Sequence, residues 1–519
     1  MTGESTGPAR ASAPRTEARR AFSNAGLNLL AGALPVPLAL VTVPAVIRAF
    51  DVDRYGVLVT AGVVLSYVAL LDFGLSRAVT RFLARASESG DQEEAARIFW
   101  TAATLAAVVG VVGMGILLAV ASPLAQGLLR VPPGLRGEAV AGFRVLAAAV
   151  PFTILLPILL SALEGRRRFD LVAAIQVPTT SATLLAPLLV LPWTNHIAPA
   201  VAATAAVQAA ACGAAYAVCM RVVPGLRSAM RVRLAAARQL FTFGRWVAVS
   251  NVVSPLMTNI DRLAIGAVLS VGAVTYYAAP YGLVTQLWLV PSSLMRALFP
   301  VFSVDRSVDV REARPLAVQA VGAIVLAMGP AAVLLVALAP DLLAVWLGHD
   351  FARLSTASLQ LLAIGVAVNS VAMVPFWLLY GLGRPDLCAK FHLIELVLYV
   401  PALLLFLHWW GITGAAAAWT LRVALDALLL LLAAGRLVGA AADAPRLRAT
   451  AAYGALLAVA LVAAWLAATH LDGAVARVAV AIALGGVAAG VGWRLALTGS
   501  EREAVRAALT AGLARGRPT

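Results

Sequence analysis

Long apolar runs recur from residue 22 to residue 497 of this chain, separated by connections mostly a few residues long. A helix needs about 20 apolar residues to cross a bilayer core. There every backbone N–H and C=O must be satisfied within the protein, so consecutive runs of this length fold as helices. Fourteen candidate spans are read: 22–48, 55–79, 98–121, 140–163, 171–193, 198–219, 240–268, 273–302, 316–346, 356–380, 391–409, 412–435, 450–470 and 474–497. Hydrophobic residues make up 61% and charged residues 13%, against roughly 25% charged in soluble domains. That balance excludes a soluble multidomain protein, and a disordered chain would be poor in apolar residues.

The net charge of +15 follows from topology and does not imply nucleic acid. With the N-terminus inside, thirty-one Arg and Lys fall in inner segments, and six (Arg48, Arg54, Arg130, Arg136, Arg353, Arg477) fall outside. Such asymmetry fixes orientation and makes anionic inner-leaflet lipids the partner of the basic loops. An even number of spans puts both termini in the cytoplasm of a multi-pass plasma-membrane protein. Residues 1–21 are polar, with Arg10, Arg15, Arg19 and Arg20, and lack the short apolar core and cleavage site of a signal peptide. At the other end Ser500-Glu501-Arg502-Glu503 fits a capping box, and Val505, Leu509 and Leu513 outline a surface helix.

Cys212, Cys219 and Cys388 form no CxxC, and His196, His349, His392, His408 and His470 form no HExxH. Neither a metal centre nor a cofactor is expected. Asp51-Val52-Asp53 in the first external loop is the one feature that points to catalysis, since membrane glycosyltransferases place an acidic pair there. Those enzymes carry a large external loop, whereas the longest external connection here is about 122–139. Without GxSxG or a Walker A motif either, no enzyme is expected.

An internal repeat is visible. Ser76-Arg77-Ala78 matches Met295-Arg296-Ala297 at an offset of 219, and Glu164-Gly165-Arg166 matches Leu382-Gly383-Arg384 at 218. Six spans per copy give both copies the same orientation, about an axis along the membrane normal. The expected organisation is a cytoplasmic polar tail (1–21), an N-lobe (22–220), a basic cytoplasmic linker (221–239), a C-lobe (240–435), two further helices (450–497) and a cytoplasmic amphipathic tail (498–519). Two parallel lobes of this kind typically rock about a central site in transporters. Pro35, Pro37, Pro44 and Pro255 mark kinks that serve either a cavity or ordinary packing.

Charges within spans are costly, at least about 2.5–3.5 kcal/mol facing lipid. Arg144, Arg262 and Arg422 are the candidate substrate-binding cations, and Asp72, Asp261, Glu395 and Asp426 the candidate coupling or gating acids. Asp72 and Glu395 lie close enough to the cytoplasm to be interfacial instead. Arg422 and Asp426 stand at i,i+4 and are expected to pair, as a structural or a switchable couple. Asn251, Pro255, Thr258 and Arg262 form one polar stripe on the seventh span, with Asn251 and Thr258 added to the substrate-binding set. Tyr276, Tyr277, Tyr281 and Trp288 read as an interfacial aromatic belt in preference to a sugar-stacking group.

Leu70-Leu71-Asp72-Phe73-Gly74-Leu75, followed by Arg77 and Arg81, resembles the "LLDFGL…R" end of the second helix in polysaccharide-transport flippases. Asn259 through Gly266, then Val271 through Tyr276, resembles their "N-x-DRxxIG…VGxY" segment, and Phe50 through Gly56 their turn before the second helix. The resemblance spans about residues 22–435, and departs from the family at Ser270-Val271-Gly272. It identifies the chain with the Wzx-type branch of the superfamily that includes multidrug (MATE) exporters and lipid II flippases. It implies an all-α, V-shaped, two-lobed carrier that flips undecaprenyl-pyrophosphate-linked oligosaccharide by alternating access. A polysaccharide polymerase or glycosyltransferases are then expected partners. The alternatives are a lipid II-type flippase and a MATE-like cation-coupled antiporter of small molecules.

Overall fold

The computed structural model describes residues 35–72, 74–223, 225–226, 256–302, 310–438, 444–499 and 501–503. The expected tail 1–21, Asn251, Pro255 and the apolar stripe from Val505 to Leu513 lie outside them. The described residues are helical and contain no strand. Ten helices are long and apolar enough to cross a membrane, so this is an all-α polytopic membrane protein.

The chain divides into two compact units, one of residues 1–51, 64–126 and 133–252, the other of 52–63, 127–132 and 253–519. The helices in chain order are α1 (Pro35–Phe50), α2 (Val52–Val68), α3 (Leu75–Ser89), α4 (Gln92–Pro123), α5 (Arg136–Gly165), α6 (Phe169–Val190) and α7 (Ile197–Val222). They continue as α8 (256–268), α9 (Val271–Thr285), α10 (Leu289–Phe302), α11 (Val310–Trp346), α12 (His349–Gly381), α13 (Pro385–Val438), α14 (Ala444–His470) and α15 (Ala474–Leu495). Within α13, Gly411 takes φ 58° and ψ −138°. That conformation suits glycine and breaks the helix where His408-Trp409-Trp410-Gly411 separates two candidate spans.

The repeat is legible in local structure. A 3-10 turn, Ala69–Asp72, interrupts the run between α2 and α3, and another, Gln286–Trp288, interrupts the run between α9 and α10. The starts of α2 and α9 differ by 219 residues, the sequence offset. Packing also corresponds: α4 lies on α5 and α5 on α7 in the first unit, as α11 lies on α12 and α12 on α13 in the second. Exposed faces are apolar, for example Val108, Val112 and Ile116 on α4, because lipid is their solvent.

α14 and α15 pack on α11. At the start of α15, Arg477 donates from Nε and Nη2 to the two carboxylate oxygens of Asp341, at 2.7 and 2.6 Å. The expected capping residue Ser500 lies outside the described residues, and a capping box is formed by Thr498 and Glu501. Glu501 accepts from the Thr498 backbone N–H at 2.8 Å, and the Glu501 N–H donates to Thr498 Oγ1 at 3.4 Å. Thr498-x-x-Glu501 has the same spacing as Ser500-x-x-Glu503, and Arg446 holds Glu501 in that register.

Candidate functional site

The second unit carries a polar, aromatic core. On α8, Asp261 is fully buried. Its Oδ2 accepts from the Tyr277 hydroxyl at 2.6 Å and its Oδ1 from the Arg262 backbone N–H at 2.8 Å. Arg262 donates from Nη1 to Asn259 Oδ1 at 2.7 Å, and its guanidinium lies 4.3 Å from the centre of the Tyr281 ring. Such a stacked cation is stabilised by the ring quadrupole, more so when desolvated. Thr258 lies one turn away from Arg262 on the same helix and is half-buried.

Tyr281 joins α9 to the second half of α13. Its ring centre is 5.6 Å from that of Trp419, which lies 6.4 Å from Trp288. One turn along from Trp419, Arg422 donates from Nη1 to Glu395 Oε2 at 3.4 Å and lies 5.5 Å from the Tyr399 ring centre. Glu395 is fully buried, and the Arg422 side chain is 13% exposed. Among the described residues, the buried Trp288 Nε1, Tyr399 hydroxyl, Trp419 Nε1 and Arg422 Nε find no hydrogen-bond partner. All four can donate, and an unmade bond at a buried polar group costs about 1–3 kcal/mol. The patch therefore favours a ligand rich in acceptor oxygens.

The pairing expected between Arg422 and Asp426 does not form. Arg422 reaches Glu395 instead, because a carboxylate wholly removed from solvent has the greater need of a counter-charge. Glu395 is fully buried within the protein. The aromatic belt is also corrected: Tyr277 and Tyr281 are core residues, 0% and 4% exposed, and Tyr276 packs on Phe351 with ring centres 4.6 Å apart. Tyr277 turns inward because its hydroxyl has a buried acceptor in Asp261.

Two expected site residues lie in the first unit. Asp72 accepts from Ser76 Oγ at 2.7 Å and from the Ser76 N–H at 3.2 Å, which supports the start of α3. Arg144 is exposed on α5, in the third turn from its N-terminus. The structure thus gathers Arg262, Arg422, Asp261, Glu395 and Asp426 into one unit, with Arg144 and Asp72 in the other. Sequence reasoning passed over Tyr399, Trp419 and His392. The i,i+3 spacing of His392 and Glu395 was the available signal for the last.

The profile of a family described as "Polysaccharide biosynthesis protein" matches residues 46–356. A Shigella flexneri protein described as "Putative O-antigen transporter" is 27% identical over 420 residues, which cover 79% of this chain and 96% of that protein. Among solved structures, an inward-facing multidrug resistance MATE family transporter of the MOP superfamily aligns with a TM-score of 0.69 at 14% identity, covering 79% of this chain and 98% of that one. An outward-facing MATE family transporter aligns with a TM-score of 0.59 at 14% identity, covering 81% and 96%. At this identity the likeness is one of fold.

Proposed function

This chain belongs to the polysaccharide biosynthesis protein family, and on that footing we propose that it is a flippase for undecaprenyl-pyrophosphate-linked oligosaccharide. It works by alternating access in the plasma membrane, with both termini cytoplasmic, and passes its cargo to surface polysaccharide synthesis. The observation that supports this reading best is the buried donor patch of the second unit, where Arg262 and Arg422 stand among Tyr399, Trp288 and Trp419. A sugar pyrophosphate offers acceptor oxygens and negative charge, and the bilayer core excludes it. Guanidinium forks match pyrophosphate oxygens, indole N–H and phenol groups match sugar oxygens, and the prenyl tail stays in lipid. Arg144, Asn251 and Thr258 belong to the same proposed substrate set, and Asp72, Asp261, Glu395 and Asp426 to the coupling set. The 27% identity to a protein described as an O-antigen transporter agrees.

The test is complementation of a strain lacking the flippase. Arg262→Ala and Arg144→Ala should each lower surface polysaccharide by on the order of tenfold, the loss expected for a hydrogen bond to a charged group. Lipid-linked oligosaccharide should accumulate inside while the variants insert at wild-type levels. Normal export by both would remove the anion site. Export of a small cation, with no effect on linked oligosaccharide, would favour the antiporter reading instead.

A further inference from the structure

His392 and Glu395 are one turn apart on the first half of α13, and Asp426 lies beyond the Gly411 break on its second half. One nitrogen of His392 and one oxygen from each carboxylate lie within 4.8 Å of one another. Glu395 is 0% and Asp426 7% exposed. Glu395 engages Arg422 through Oε2, while its Oε1 and Asp426 Oδ1 meet no donor group among the described residues. Two buried carboxylates this close need a shared proton or a cation between them, and the single guanidinium balances only one of their charges when both are ionised.

We propose that His392, Glu395 and Asp426 bind one divalent transition-metal ion of the zinc, manganese or cobalt class. The imidazole decides the class, since sodium, magnesium and calcium prefer all-oxygen sites and borderline metals accept mixed nitrogen and oxygen. Helical bundles build such sites from an i,i+3 His and Glu on one helix and a carboxylate on the facing one. Supporting contacts are in place. Arg422 bonds Oε2 of Glu395 and leaves Oε1 available, the pattern by which an outer partner orients a ligating carboxylate. Phe376 stacks on the His392 ring, with centres 6.1 Å apart and planes at 23°. Three protein ligands leave coordination positions open, as in catalytic and transport sites and unlike closed structural ones. With both carboxylates ionised, a bound divalent ion takes the cluster of two carboxylates and one guanidinium from one net negative charge to one net positive.

The inference stands on coordination geometry and is independent of the flippase reading, so it is tested by binding and not by export. Full-length protein, purified in detergent without a histidine tag and stripped with a chelator, is titrated with Co2+. The expected result is one equivalent bound per chain, with visible d–d absorption of a nitrogen and oxygen site. His392→Ala removes the least buried ligand and should weaken binding at least tenfold. Asp426→Asn should do the same, with elution profile and helical circular dichroism unchanged in both. Absence of the Co2+ bands in well-folded wild-type protein would overturn the proposal. So would equal binding by His392→Ala, or thermal stabilisation by Na+ or by acid alone with no Co2+ uptake.

Discussion

Arg422 passes over an acid on its own helix and pairs with one across the Gly411 break, and burial accounts for the choice. Removing one partner of a buried pair costs about 3–5 kcal/mol, because the other charge is left uncompensated, and Glu395 is the more buried acid. Spacing along a helix tells which side chains can meet, but it cannot tell which acid a neighbouring helix will bring closer. Near the C-terminal end a simpler pair gives a pH prediction. Burial alone would raise the Glu501 carboxyl, but the hydrogen bonds from Arg446, at 2.6 and 2.7 Å, and from Thr498 overcome this and hold it below the ordinary carboxylate value. A group depressed on folding contributes stability above its unfolded pKa, about 4.3 for Glu, and loses it as pH falls through the folded value. Thermal melts between pH 7 and pH 3 should therefore show wild type losing more stability on acidification than Glu501→Gln. Parallel melting curves for the two proteins would contradict the assignment.

At the scale of elements, the apolar runs and their offset of 218–219 residues carried the repeat, because lipid imposes length and hydropathy on every span. The 3-10 turns inside the runs 55–79 and 273–302 were not legible. Apolar residues continue into Ala69–Asp72 and Gln286–Trp288, so hydropathy alone does not mark the breaks. Close helix contacts were equally silent, since many glycines in the chain look alike. Gly365 on α12 faces Trp419: a Cβ there would stand 2.5 Å from Cζ3 of the indole and 2.8 Å from Thr420 Oγ1. Trp419 is fully buried, so it has little room to yield. Gly62 on α2 meets nothing within 4 Å. Gly365→Ala should cost about 1–3 kcal/mol by overpacking and lower the melting temperature in detergent. Gly62→Ala should be neutral or slightly stabilising, because alanine is the better helix former. Equal melting temperatures for the two variants would contradict the contact.

For the whole molecule, the charge inventory reports orientation while the site depends on contacts the inventory does not contain. Arg262 and Arg422 were visible as cations within spans, yet their stacking on Tyr281 and Tyr399 needed the fold, as did the burial of Tyr277. The expected orientation rests on thirty-one basic residues in the segments read as inner against six in those read as outer, and it can be tested chemically in an almost unmodified protein. Cys212, Cys219 and Cys388 are free and buried, so a membrane-impermeant maleimide has little native background to contend with. His196, at the entry to α7, and Arg167, between α5 and α6, are exposed. The two positions sit at opposite ends of α6, a helix of 22 residues, or about 33 Å at 1.5 Å per residue. On intact cells His196→Cys should label and Arg167→Cys should not, and permeabilisation should make the second position reactive. Arg167 already occupies positive φ, at 57°, so cysteine there adds no strain that the native residue does not bear. If residue 167 labels from outside and residue 196 only after permeabilisation, the topology is inverted. The basic loops would then lie away from the anionic leaflet, and a carrier loading its cargo from the cytoplasmic side would have to be abandoned with them.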